Sequence, residues 1–327
     1  MFPLPPLEGE SFHDPVRVAD WVELNLLLEQ ADSVSVTAVT DELAETPPDD
    51  SEDSERRFEG DEPERRGYWE AAEELAESAF GELSQREAWL LSHYPLTLVG
   101  DTALLNSATS AREAYSFLIL LRARQMYDRA LGDDGEESGE LFEDLVKHAL
   151  GSYVDATMEH RLRFGVAGGH RGDGLPDSLP EAVEELRKRL HEEPGEVPEG
   201  GQGDYKADAI VWKPLGDQRP GQLVVLGQAT MSEGDWMRED LPNRWTDRQP
   251  AEQRLIDFIA RPVAAVAFAE TLSLTPRDTL RGLAATFSSI PFDRLRLLRV
   301  LSDSDLPADL RARMNAWGSG MTDRLIQ

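Results

Sequence analysis

The sequence predicts an α/β (α+β) protein in two parts: an all-helical N-terminal domain over residues 1–135 and an α/β domain with a mixed central sheet over residues 136–327. Three observations lead to this prediction. Apolar residues recur at helical spacing through most of the first part. Two strand-like runs joined by turn-forming residues occur in the second part. A polar break, GDDGEESG at 132–139, separates the two.

The composition excludes several classes of function. The chain has 327 residues and a formal net charge of −30, with 63 acidic and 33 basic side chains. It has no cysteine, which rules out disulfides, thiolate zinc sites and cysteine nucleophiles. Because no run of 18 apolar residues occurs, we expect a cytoplasmic protein with no membrane partner. A surface this acidic repels polyanions, so nucleic acid could bind only at a locally basic groove or through a partner. The arginines that could line such a groove are Arg161, Arg163, Arg171 and those of the C-terminal tail.

Three helices are expected in the N-terminal domain, near residues 18–28, 68–92 and 110–131. Between the first two lies a segment, 41–66, with 12 acidic and 4 basic side chains and three prolines. This composition predicts a solvated, flexible segment. The alternative, that it mimics nucleic acid, stays open.

The second part alternates helices and strands. A helix is predicted over about 140–156, and strands are predicted over 205–213 and 222–230. The residues between the strands, PLGDQRPG, favour a hairpin. A further helix near 251–260 and a strand over 262–268 complete this prediction.

One aspartate stands out because it adjoins an apolar run. Asp208 precedes Ala-Ile-Val, and an ionised carboxylate is costly to bury without partners. Strand alternation would place Lys206 on the same face. Glu143 flanks the apolar side of its predicted helix, so a helix carboxylate and a strand carboxylate could together hold Mg²⁺. The alternative is that Asp208 lies at a strand end and accepts hydrogen bonds from loop amides.

These residues carry a resemblance to a known superfamily. The helix sequence GELFEDLV (139–146), then GDYKAD (203–208), then GQLVVLGQAT (221–230) followed by Trp236, resembles the PD-(D/E)xK restriction-endonuclease-like superfamily. The sequence looks closest to prokaryotic Mrr-like members, several of which serve in defence against phage or foreign DNA. The resemblance covers roughly residues 139–270 and implies a restriction-endonuclease-like mixed central sheet flanked by helices.

The resemblance also implies a site. Glu143 matches the helix glutamate and Asp208 matches the strand aspartate, as ligands of Mg²⁺ or Mn²⁺. Gln228 stands where the second acid is usual and Thr230 stands where the lysine is usual, so both depart from the pattern. Lys206, Gln228 and Thr230 are the expected catalytic residues. The auxiliary candidates are Asp204, Trp236 and Arg238.

The implied function is metal-dependent hydrolysis of DNA phosphodiester bonds in a prokaryotic anti-phage defence or genome-maintenance system. The departures at positions 228 and 230 favour an alternative, a catalytically inactive nuclease-like subunit that binds partners or has a structural role. An acidic inhibitor that mimics DNA is a third alternative. DNA is the expected partner, and protein partners in a defence complex and a homo-oligomer are left open.

Overall fold

The computed structural model of this chain describes residues 1–5, 14–45, 62–106, 108–127, 135–167, 170–195, 197, 205–231, 245, 255–272 and 289–326. Its helices are α1 (Pro15–Leu27), α2 (Val36–Glu45), α3 (Glu62–Leu90), α4 (Arg112–Met126), α5 (Gly135–Tyr153), α6 (Leu179–Leu190), α7 (Arg294–Val300) and α8 (Ala308–Ile326). Its strands are β1 (Ser33–Ser35), β2 (Leu96–Val99), β3 (Thr102–Leu105), β4 (Arg161–Arg163), β5 (Val166–Ala167), β6 (His170–Arg171), β7 (Glu193–Pro194), β8 (Ala209–Lys213), β9 (Leu223–Thr230), β10 (Ile256–Asp257), β11 (Val263–Phe268) and β12 (Ser289–Phe292). The protein is therefore of mixed α/β type.

The chain divides into two compact units. The first comprises 1–132, 271–274 and 314–327, and the second comprises 133–270 and 275–313. The main division falls inside the polar break at 132–139. The C-terminal residues from 314 onward group with the N-terminal unit, whereas the sequence prediction placed them with residues 136–327.

The first unit is not all-helical, so that prediction is wrong. Strands β1, β3 and β2 form a three-stranded antiparallel sheet in that order. The helices pack around buried apolar side chains such as Trp21 and Leu24. Helix α1 begins as its sequence dictates, because the Asp14 side chain accepts a hydrogen bond from Val16 N at 2.9 Å and Pro15 needs no amide partner.

Both ends of the segment predicted to be flexible, 41–66, are helical in the structure. Residues 41–45 belong to α2, and α3 begins at Glu62. The rest of the predicted flexible segment, 46–61, lies outside the described residues.

A buried ionic cluster lies in the interior of the first unit. The guanidinium of Arg86, on α3, is fully buried and lies 2.8 Å from Asp20, 2.9 Å from Glu23 and 3.1 Å from Glu82. Arg122 also pairs with Asp20, at 3.2 Å. Burial lowers the pKa of the Arg86 guanidinium, but the carboxylates of Glu23 and Asp20 raise it more, so this pKa lies well above its usual value. Arg86 is therefore charged in the folded protein.

The core of the second unit is a five-stranded mixed sheet with the order β12-β11-β9-β8-β4. Strand β8 runs antiparallel to both of its neighbours, β4 and β9, so the predicted hairpin between β8 and β9 is confirmed. Strands β9, β11 and β12 run parallel to one another. The predicted strand at 262–268 is therefore also confirmed, as β11.

Helices cover this sheet. Helix α5 packs on β4, β8 and β9, and Gly227 permits its close approach because a Cβ atom there would overlap Cδ1 of Leu150. A separate apolar cluster combines strand residues such as Ile210 and Leu226 with α6 residues such as Val183 and Leu186. Strand register and helix packing together position the start of β8 beside α5.

The helix predicted near 251–260 is wrong over the residues that the structure describes. Strand β10 pairs with β7, Ile256 opposite Pro194. The amide of Ile259 donates to Oε2 of the buried Glu192 at 2.9 Å, and Oε1 of the same carboxylate accepts from Gly221 N at 2.8 Å. These long-range partners hold the segment extended, since a helical Ile259 amide would bond to residue 255 instead.

Candidate functional site

Asp208 lies immediately before β8 and is 8% exposed. Its backbone N donates to Gly227 O at 2.8 Å, and its backbone O accepts from Phe164 N at 2.7 Å and Gly165 N at 3.0 Å. Its Oδ2 accepts from Ala229 N at 2.7 Å, so the carboxylate binds an amide of β9 where β8 begins. Asp208 is at a strand end, as the alternative interpretation expects, but the amide that it binds belongs to a neighbouring strand.

Glu143 approaches the same place from helix α5. A Cβ atom at Gly165 would lie 2.6 Å from Cδ of Glu143, so the missing side chain at position 165 leaves room for this carboxylate. Gly165 also donates its amide to Asp208 O. The helix glutamate and the strand aspartate, far apart in sequence, therefore both lie against one glycine.

Gln228 and Thr230 lie on β9 and are 4% and 7% exposed. Alternation along the strand places them on one face. The two residues that flank Gln228 both bond to Asp208, through Gly227 O and Ala229 N. Among the described residues, the buried Oε1 of Gln228 has no hydrogen-bond donor. A buried amide oxygen without a donor is unusual in a native protein, and it fits an oxygen ligand for a hard cation.

The structure does not place Lys206 as predicted. Tyr205 and Lys206 have φ angles of +54° and +68°, and β8 begins only at Ala209. The carbonyl of Tyr205 accepts from Trp245 Nε1 at 3.0 Å, which holds this turn. Positive φ is incompatible with a strand, so alternation does not put Lys206 on the face of Asp208. The prediction that the strand starts at residue 205 is wrong.

Three auxiliary candidates, Asp204, Trp236 and Arg238, lie outside the described residues. Their proposed roles therefore stay predictions.

An arginine that the sequence reasoning named only as part of a basic groove lies beside Glu143. Arg163, at the end of β4 and 8% exposed, places Nη1 3.6 Å from Glu143 Oε2. It also contacts Glu140 at 3.1 Å and Asp144 at 3.6 Å. The other two arginines of the predicted groove bind carbonyl oxygens: Arg161 binds Ala156 O, and Arg171 binds Phe164 O. In the described structure these arginines make internal contacts instead of forming an open basic surface.

Lys147, one turn after Glu143 on α5, is buried in an ionic cluster. Its Nζ donates to Asp144 Oδ1 at 2.8 Å and to both oxygens of Asp173, at 3.2 and 3.0 Å. The spacing of the acids at 140, 143 and 144 on one helix face was visible in the sequence. Their partners Arg163 and Asp173 were not, because they come from distant segments.

His148 is a further buried group on this helix. It is 3% exposed, and burial together with the positive charges of Lys147 and Arg161 lowers its pKa to about 4. His148 lines a polar pocket of about 320 Å³ together with Lys147, Arg161 and Arg163. At neutral pH the imidazole is therefore uncharged.

No protein-family model, no curated protein and no solved structure matches this chain. Within the described residues, no group of three or more His, Cys, Asp or Glu side chains is arranged to hold a metal ion. A cation at Glu143 and Asp208 would therefore also need neutral oxygen ligands, such as that of Gln228. The helices that the structure describes include none that is both long enough and apolar enough to cross a membrane.

Proposed function

We propose that this protein is a metal-dependent nuclease that hydrolyses phosphodiester bonds of DNA, in a prokaryotic anti-phage defence or genome-maintenance system. One observation carries the proposal. The Glu143 carboxylate and the backbone carbonyl of Asp208 both lie against Gly165, and the Asp208 carboxylate binds the amide of Ala229. Ala229 follows Gln228, whose buried side-chain oxygen lacks a donor among the described residues.

The arrangement of the sheet supports the same proposal. Three antiparallel strands, β4, β8 and β9, follow α5, and β11 then runs parallel to β9; this arrangement is compatible with the restriction-endonuclease-like fold that the sequence resemblance implies. The proposed ligands lie where α5 passes the adjoining ends of β8 and β9.

Each residue would have a defined part in holding Mg²⁺ or Mn²⁺. Ala229 N binds Oδ2 of Asp208, which orients the carboxylate that would supply one negative charge to the cation. Glu143 supplies the second negative charge, and Gln228 supplies a neutral oxygen. Once bound, such a cation would lower the pKa of a water molecule and stabilise the charge that develops on the phosphate. Thr230 adds a hydroxyl but no positive charge.

The first test is cleavage of supercoiled plasmid with Mg²⁺ or Mn²⁺. The Asp208→Asn substitution removes the charge but keeps an oxygen that can accept a hydrogen bond from Ala229 N. The hydrogen bond that joins the start of β8 to β9 is therefore retained. We expect the cleavage rate to fall about a hundredfold or more, which corresponds to about 3 kcal/mol of transition-state stabilisation. The control is Asp217→Asn, which removes an equal charge in the turn of the same hairpin, where Asp217 pairs with Arg219.

Cleavage at the wild-type rate by Asp208→Asn, and also by Asp208→Ala, would remove the site assignment. Wild-type protein that cleaves neither plasmid nor single-stranded DNA would count against the nuclease itself.

A second function is favoured by one specific observation. The guanidinium of Arg163 already lies 3.6 Å from the Glu143 carboxylate, and β9 carries Thr230 in place of a lysine. A cation beside a ligand carboxylate opposes metal binding. This observation supports an inactive nuclease-like subunit that binds DNA or the proteins of a defence complex. Calorimetry with Mg²⁺ and Mn²⁺ separates the two, because the inactive subunit would bind neither ion.

A further inference from the structure

A polar pocket of about 320 Å³ lies in the second unit, and basic side chains from three elements line it. Lys147 lies on α5, Arg161 and Arg163 lie on β4, and Arg313 lies on α8. A pocket of this volume can hold a small organic molecule. The two proposed metal-ligand carboxylates are not among the described residues of its lining, so this pocket is not the proposed metal site.

Two glycines leave room for the arginines of β4. A Cβ atom at Gly151 of α5 would overlap the side chain of Arg161, and one at Gly172 would overlap that of Arg163. Arg161 also donates to the carbonyl of Ala156, from Nε at 3.0 Å and from Nη2 at 2.7 Å. The fold therefore provides the space that both guanidinium groups occupy.

Most acids of the pocket are already paired with its cations. The three paired acids are Glu140, Asp144 and Asp173. Nη2 of Arg163 lies 3.1 Å from Glu140, and Nζ of Lys147 donates to Asp144 at 2.8 Å and to Asp173 at 3.0 Å. A fourth acid of the lining, Asp309, is exposed, so water weakens the effect of its charge at the pocket.

Two arginines of the lining keep charge or donors that the protein does not balance. Within the ranges that the structure describes, Arg161 forms no ion pair and binds neutral oxygens instead. Burial lowers the pKa of its guanidinium, and Asp305 and Asp155 offset this effect only in part. Nη1 of Arg163 is buried without a hydrogen bond to any described residue. An anion at the pocket would therefore meet unused positive charge.

The buried imidazole of His148 indicates the sign of the local potential. It is 3% exposed, and its Nδ1 has no hydrogen-bond partner in the described part of the chain. Burial and the positive charges of Lys147 and Arg161 lower its pKa to about 4. Asp144 and Asp173 have the opposite but smaller effect. A position that disfavours a positive charge in this way favours a negative one.

We propose that this pocket binds the phosphate group of a small phosphate monoester through Arg161, Arg163 and Arg313. A guanidinium presents its N–H donors in a fixed fork that matches phosphate oxygens. The phosphate supplies the anionic partner that Arg161 lacks among the described residues. Met158 and Leu310 line the same pocket and offer apolar surface to the rest of the molecule. The inference does not depend on the proposed function, because no metal ion takes part.

The test is isothermal titration calorimetry in EDTA, at neutral pH and constant ionic strength, with sodium phosphate, AMP and adenosine. We expect phosphate to bind, AMP to bind more tightly and adenosine not to bind. The Arg161→Gln variant should bind phosphate and AMP at least about tenfold more weakly. The matched control is Arg219→Gln, which removes the same charge where the side chain is 79% exposed and should change either affinity by less than about twofold.

A second variant acts in the opposite direction. Asp309→Asn removes the exposed acid of the lining and should tighten phosphate binding by about threefold. Because a loss of structure would weaken binding, tighter binding by this variant can come only from the charge. The inference is overturned if the wild type binds neither phosphate nor AMP at millimolar concentrations, or if a folded Arg161→Gln binds both as the wild type does. If Arg161→Gln is unfolded, Asp309→Asn decides, and an affinity that does not rise overturns the inference. Phosphate that binds as tightly as AMP would overturn the monoester in favour of the free ion.

Discussion

Replacing Arg86 by methionine removes the central cation of the buried cluster in the first unit. Methionine has a similar length and no charge, so the main change is electrostatic. Three carboxylates, those of Asp20, Glu23 and Glu82, lie within 3.1 Å of the guanidinium, and Arg122 also pairs with Asp20. After the substitution, these three buried acids lose the cation that they share.

The cost follows from this imbalance. Breaking a buried ion pair by removing one partner costs roughly 3–5 kcal/mol, since the remaining charge is buried without compensation. Domains are stable by only about 5–15 kcal/mol, so the loss is a large fraction of the total. For a unit of this size we expect the melting temperature to fall by about 6–20 °C.

Differential scanning calorimetry measures this effect, and the same helix offers a control. Arg66 pairs with Glu70 one turn away on α3, but its side chain is 82% exposed. Arg66→Met should cost less than about 1 kcal/mol. Adding Glu23→Gln to Arg86→Met should recover part of the loss, because it removes a buried negative charge that Arg86 had offset. Equal melting temperatures for the two single variants, or no recovery in the double variant, would refute the electrostatic explanation.

Two further predictions concern the second unit. His148 has a pKa of about 4 in the folded protein and about 6.5 unfolded, so its contribution to stability, at most about 3 kcal/mol, is present above pH 6.5 and is lost as the pH falls towards 4. Urea unfolding between these pH values should show a smaller loss of the free energy of unfolding in His148→Gln than in the wild type. The exposed His170→Gln should lose as much of this free energy as the wild type. For Gly165→Ala, the new Cβ displaces the flexible end of Glu143, so Mn²⁺ affinity should fall at least about tenfold. The free energy of unfolding should change by less than about 1 kcal/mol, and unchanged Mn²⁺ affinity would show that Glu143 is not a ligand.

Elements with strong local patterns could be predicted from the sequence. Helical periodicity located α1, α3, α4 and α5 to within about six residues at each end, and the turn-rich PLGDQRPG located the β8–β9 hairpin. The small sheet in the first unit was missed because its strands are three or four residues long. A signal was present, since Gly-Asp at 100–101 separates two apolar runs, as in a two-residue hairpin loop, and Gly100 has the positive φ of +64° that glycine favours.

Features fixed by distant partners could not be predicted. The extended segment at Ile256 depends on Pro194 and Glu192, and no local pattern reveals that pairing. At the candidate site, Asp208 and Glu143 were selected as candidates because acids beside apolar residues are costly to bury. Arg163 was not assigned to Glu143, because the contact depends on how β4 packs against α5.

The hydrogen bond from Ala229 N to Asp208 has a consequence for how related sequences should be interpreted. Asp208 joins the start of β8 to β9, so under the proposed function a related protein without catalytic activity would still lose stability if this aspartate were replaced. Selection for folding alone would preserve it. Gln228 gives the better evolutionary marker, because its side-chain oxygen receives no hydrogen bond within the described structure and is free to drift once chemistry is no longer under selection.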